Sequence, residues 1–144
     1  MLQFIHQNTD WGPEPNAPCV EISRDGGDLV LSFGMGPTSF GEDGSWIGIA
    51  SLRFRRVSRW CWDSTNDEGW YAGAGRYARQ APRWGEFYEV IGDARLGENA
   101  VPGRIPNPKP VRHFLFYFRD ETIECYAESW DLHCGKHRRS SIDP

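Results

Sequence analysis

The sequence predicts an all-β fold, an antiparallel two-sheet sandwich or a strongly curled open barrel, with about seven or eight strands and long loops. Three observations predict it. Val111 to Ala127 reads VRHFLFYFRDETIECYA, an aromatic and aliphatic block, a charged break and then an alternating run, which is the pattern of a β-hairpin. Arg24-Asp25-Gly26-Gly27-Asp28 is a turn between two short alternating runs, because Asp-Gly-Gly admits positive φ without a Cβ clash. Sixteen glycines and ten prolines in 144 residues call for many turns and few long helices, and no βαβ rhythm is present.

Taken in order, Leu2, Phe4 and Ile5 suit a short first strand, and His6 to Ala17 a polar connection holding Trp11 before a Gly-Pro turn. Cys19 to Ser23 and Leu29 to Phe33 flank the Asp-Gly-Gly turn, with Leu29, Leu31 and Phe33 on one side. Gly34 to Ser45 is a glycine-rich loop. Trp46 to Phe54 is a longer strand, apolar enough on both sides to lie between layers, and a bulge or edge is expected where Arg55, Arg56 and Arg59 interrupt the run to Trp62. Asp63 to Gly69 is polar. Residues 70–80 are ambiguous, since Tyr71, Ala74, Tyr77 and Ala78 have helical spacing but Gly73 and Gly75 weaken it.

Trp84 to Ile91 is a further strand, and residues 92–110 form a long connection ending in an extended PNPKP. In the hairpin, His113, Leu115 and Tyr117 point one way and Phe114, Phe116 and Phe118 the other. In its second strand Ile123, Cys125 and Ala127 face inward, with Thr122, Glu124 and Tyr126 outward. Residues 128–132 suit one helical turn. A single domain over residues 1–144 is expected, with a flexible tail from about Lys136.

The net charge of −4 conceals a polarity along the chain. Residues 1–50 hold Arg24 against seven acids, leaving fifteen of the sixteen cations and thirteen of the twenty acids to residues 51–144. Cys19, Cys61, Cys125 and Cys134 are scattered without a CxxC, and no signal-like or membrane-length apolar stretch occurs. A cytoplasmic protein with reduced thiols is expected.

Candidate chemistry is thin. His133, Cys134 and His137 are a weak metal-ligand cluster, lacking a companion pair and flanked by Lys136, Arg138 and Arg139. The glycines of residues 34–44 lack the Gly-Lys-Ser/Thr of a phosphate cradle. Cys61 between two tryptophans resembles a buried thiol, and Glu86/Glu89 and Glu121/Glu124 have the wrong parity for paired acids on one strand face. No catalytic residue is assigned and no cofactor is expected.

Arg53, Arg55, Arg56 and Arg59 beside Trp60 and Trp62 are the best surface candidates. Such a mixture can contact nucleic acid, pair with the acidic first third of the chain, or face a protein, and nucleic acid is the weaker reading. Trp11, Trp70, Tyr71 and Trp84, with Tyr77, have the residue types of interface anchors. The expected role is protein association, as a homodimer or as an accessory partner-binding protein. The alternative is a small-molecule binder with an aromatic and Arg-lined pocket between the sheets. A third reading, a hydrolase, requires a cleft with a hydrogen-bonded Cys–His or Asp–His pair.

Overall fold

The computed structural model describes residues 2–42, 47–73, 77–78, 80–93, 101–103 and 111–141. Two antiparallel sheets face each other without closing into a barrel, as the hairpin patterning predicts. The strands are β1 Gln3–His6, β2 Glu21–Asp25, β3 Asp28–Gly34, β4 Ile49–Arg55, β5 Arg59–Asp63, β6 Phe87–Ile91, β7 Val101–Pro102, β8 Arg112–Tyr117, β9 Thr122–Ala127, β10 Ser129–Cys134 and β11 His137–Ser140, with a short helix α1 Asp67–Tyr71. One sheet has the order β1-β6-β8-β9-β5-β7 and the other β11-β10-β4-β3-β2.

The inner layer is aromatic. Phe114, Phe116, Phe118, Ile123 and Cys125 from the β8–β9 hairpin meet Leu29, Leu31, Phe33, Ala50, Leu52 and Phe54 from β3 and β4. Alternation places them there, because every second residue of each strand turns to the same face. Trp11, in the 7–20 connection, enters this layer and packs on Phe33, Phe87, Phe116 and Trp130 at ring-centre distances of 5.9–6.4 Å. Asn8 fixes the approach: its Nδ2 donates to the Trp11 carbonyl and its Oδ1 accepts from the Phe87 amide. The connection then reaches the other sheet through a Pro13–Met35 bridge and the Glu14 amide on the Gly34 carbonyl.

Several expectations are corrected. β4 is buried on one side only, since Ile49, Ser51 and Arg53 lie on its solvent side while Ala50, Leu52 and Phe54 are buried. Trp46 falls outside the described residues, as do most of 92–110, PNPKP included. Residues 56–58 are a corner at which the chain leaves one sheet for the other, with Arg56 at φ 54°. Residues 129–134 form a strand, not a helical turn, because Trp130, Leu132 and Cys134 alternate into the core. The tail expected from Lys136 is instead held through residue 140, where β11 pairs along β10.

The far side of the six-stranded sheet is covered as well. Trp70, Tyr77 and Ala81 pack with Tyr88, Val90, Leu115 and Tyr117 into a second cluster, joined by Leu2, Phe4 and Trp84. Both faces of β8 are therefore buried, as its sequence predicts. Thr122 and Glu124 of β9 turn to the outer face as expected, but are buried there.

Candidate functional site

A groove of about 640 Å³ lies at one end of the sandwich. One wall is the Trp84 side chain, set against Tyr117 at 4.8 Å between ring centres and against Trp70 at 5.8 Å. Residues of the Gly12–Asn16 and Gly36–Ser39 stretches also line the groove, with Pro13, Pro15 and Pro37 restricting their backbone. Gly36 packs so closely there that a Cβ would sit 3.2 Å from the Pro13 carbonyl oxygen, so a side chain at 36 would push the two loops apart.

Two charged side chains border the groove. Arg119 reaches from the β8–β9 turn to donate to the Asn16 carbonyl, which ties the turn to the facing loop. Glu86 accepts from His6 Nε2 at 2.9 Å and lies 3.9 Å from Arg83. Next to it, burial and then the Glu86 charge push the Tyr88 phenol up to about 12, and its hydroxyl stays a donor to the Arg83 carbonyl. The groove thus combines a ring ledge, rigid walls and one cation directed across it.

A second polar cluster lies under the cover of the six-stranded sheet. His113 Nε2 is 2.8 Å from Glu124 Oε1, and these side chains are 4% and 5% exposed. Tyr126 stands edge-on to the imidazole at 5.3 Å, and the Cys61 Sγ is 3.9 Å from Glu124 Oε2. An imidazole held by a carboxylate is the orienting half of a hydrolytic triad. Here the Cys61 thiol lies against the carboxylate, and the pair is closed to solvent. In this arrangement its chemistry is that of a buried hydrogen-bonded pair.

The sequence-selected arginines separate. Arg53 and Arg55 lie on the solvent face of the five-stranded sheet in a ladder with Asp25, Asp28 and Asp131: Arg53–Asp25 3.0 Å, Arg53–Asp28 2.9 Å, Arg55–Asp28 3.3 Å and Arg55–Asp131 2.6 Å. The acidic first third of the chain supplies Asp25 and Asp28. Burial pushes the Asp28 carboxyl up, but the Arg56 amide and the Arg53 guanidinium outweigh it and hold it below the ordinary carboxylate range. Arg56 pairs with Glu128. Arg59 is on the other sheet, opposite Tyr126.

The aromatic candidates divide in the same way. Trp60 packs against the core, while Trp62 is 48% exposed. Trp11 and Trp70 are buried, which places them in the two cores and not on a surface, and Tyr77 is buried with them. Tyr71 is 73% exposed at the end of α1, and Trp84 is half-buried at the groove.

His133 and Cys134 point to opposite faces of β10, and His137 stacks on Phe40 at 4.1 Å with its Nε2 3.3 Å from Glu42. The three do not converge on one point.

Sequence reasoning missed Arg119, Glu86 and the His113–Glu124 pair. The last was within reach: closing the hairpin through residues 118–121 sets His113 opposite Tyr126 and Leu115 opposite Glu124, which makes His113 and Glu124 diagonal neighbours on one face. No family model, curated protein or solved structure matches the chain.

Proposed function

We propose that this chain is a partner-binding accessory domain that holds an extended segment of another protein in the groove beside Trp84. The observation that carries the reading is the half-buried Trp84 ring, backed by Tyr117 and lining, together with Pro13, Pro15 and Pro37, a groove of about 640 Å³. A rigid aromatic ledge binds with little ordering cost, and extended or proline-containing segments suit such ledges because their backbone is already nearly fixed. Arg119 gives the segment a donor for a carbonyl or a carboxylate at the turn end of the groove. The Arg53–Arg55 ladder is a poor rival surface, because its guanidinium groups are already satisfied within the fold.

The experiment is a panel of extended ten-residue peptides, with and without proline, titrated against protein whose tryptophan indole N–H resonances have been assigned. The reading expects the Trp84 resonance to move with saturable binding and Trp84→Ala to abolish binding without loss of fold. Shifts confined to other tryptophans, or no shift at millimolar peptide, sink it. The groove volume also falls within the range of small-molecule sites, which favours the second reading to that extent. A low-mass species that copurifies and is released by Arg119→Ala would select it.

A further inference from the structure

We infer that the free edge of β1 is a self-association surface whose occupant is the β1 strand of a second copy of this chain, paired antiparallel about a two-fold axis through Ile5. This interface is separate from the groove and does not depend on it.

The backbone gives the register. β1 runs antiparallel to β6 with Gln3 opposite Ile91 and Ile5 opposite Glu89, and the Gln7 amide donates to the Phe87 carbonyl. Gln3, Ile5 and Gln7 therefore bond toward β6, and alternation turns the N–H and C=O of Phe4 and His6 outward. β1 ends the sheet, so among the described residues no strand receives those four groups. A second β1 related by a two-fold at Ile5 sets Phe4 against His6 of the second copy, and His6 against its Phe4. Each of these pairs exchanges both hydrogen bonds, and the two Ile5 side chains meet at the closer, non-bonded position.

The sequence of the edges selects β1. Edge strands are ordinarily guarded by charge, shortness or a bend. β2 carries Glu21, Arg24 and Asp25, β11 carries Arg138 and Arg139, and β7 is only two residues long. β1 reads Gln-Phe-Ile-His, without an acid, a lysine or an arginine. Its one imidazole is directed to Glu86 at 2.9 Å, on the outer face of the sheet and away from the edge. On the same face as Ile5, which is 46% exposed, Ile91 lies diagonally across on β6 at 40%. Directly opposite Ile5 on this face is Glu89, whose charge is met by Arg112 at 2.8 Å, so two copies, each with net charge −4, bring no unpaired like charges into register across the axis.

A pairing of three to five residues per copy, Phe4 to His6 and at most Gln3 to Gln7, buries less than the roughly 1,200 Å² of a standard interface, so the dimer is a weak one whose population depends on concentration. Sedimentation equilibrium from micromolar to several hundred micromolar protein reads it. The expected result is a monomer–dimer equilibrium in that range. Ile5→Lys weakens it by roughly tenfold or more, since like charges then face each other across the axis. Ile5→Glu does the same alone, and an equimolar mixture of the two variants dimerises again. Ile49→Lys, at an exposed position on the other sheet, leaves the equilibrium unchanged. A monomer at every concentration overturns the inference. So does a dimer that folded Ile5→Lys leaves intact, or a mixture that fails to recover.

Discussion

Truncating Phe116 to alanine tests the inner layer where it is most tightly enclosed. The side chain is fully buried. Its ring stacks on Phe87 at 4.9 Å and 9° and on Phe118 at 4.1 Å and 14°, and meets Phe33 edge-on at 5.6 Å and Trp11 at 5.9 Å. These neighbours belong to both sheets and to the 7–20 connection, so the hole left by the ring cannot close by moving one element. Phe→Ala in such a site costs about 3–5 kcal/mol. The ring pairs, worth about 0.5–1.5 kcal/mol each in isolation, are partly contained in that figure and are not added to it. The upper half of the range is expected, because rigid rings relax poorly into a cavity. Urea unfolding followed together by far-ultraviolet dichroism and tryptophan fluorescence gives the change at constant m. Against a total stability of about 5–15 kcal/mol the loss is large enough to leave some preparations unfolded, so Phe116→Leu, with a smaller loss, is measured alongside. A cost for Phe116→Ala below about 1 kcal/mol would refute the enclosure of β8 between layers.

Three further outcomes are expected. Of the four free thiols only Cys19 is exposed, so a thiol reagent on native protein should titrate one group, Cys19→Ser none, and unfolded wild type all four; fast labelling of buried Cys125, whose thiol burial pushes well up, would contradict its packing. Asp28 has a folded pKa below its unfolded value, so its contribution is present at neutral pH and is lost as pH falls from about 4 through the lower folded value. Asp28→Asn should flatten the stability–pH curve in that acid window, and an unchanged slope there counts against the Arg53 and Arg56 contacts. Removing one member of the buried His113–Glu124 pair, as in Glu124→Ala, should cost about 3 kcal/mol or more. A double-mutant cycle with His113→Gln should show coupling of about 1–3 kcal/mol, and additive losses would mean that the two side chains do not interact.

The sheets were legible where one face alone is apolar or where both are. Leu29, Leu31 and Phe33 alternate with polar neighbours and read directly as a half-buried strand, while His113 to Phe118 reads as a strand enclosed on both faces. The misplacement at 128–134 did not come from a missing signal, since Trp130, Leu132 and Cys134 carry the period-two pattern. Charged and histidine residues around them suggested a solvated end, yet β10 needs only one apolar face because its other face is open. Glu124 turns to the outer face that its alternation predicts, but a charged residue there reads as solvent-facing, and no local pattern shows that this face of β9 is buried. The groove was not legible at all. It joins residues 12–16, 36–39, 84–86 and 117–119, and no local pattern encodes how closely those four stretches approach.

The two sheets differ in what lies outside them, and that difference locates the groove. The outer face of the five-stranded sheet bears an Asp–Arg ladder, which is stable in water without a covering layer. The outer face of the six-stranded sheet bears Leu115, Tyr117, Tyr88 and Val90, which require cover, and the chain between α1 and β6 supplies it. That covering chain must then turn back into β6, and it does so at Trp84, Gly85 and Glu86, with Gly85 at φ 82°. The turn meets the 12–16 loop at the same end, because Trp11 and Asn8 pin that loop to the core and to Phe87. Trp84 is consequently anchored on Tyr117 and only partly buried at the groove. The association reading rests on that partly buried ring, and the abundance of tryptophan in the sequence adds nothing to it, since Trp11, Trp70 and Trp130 are consumed by the cores.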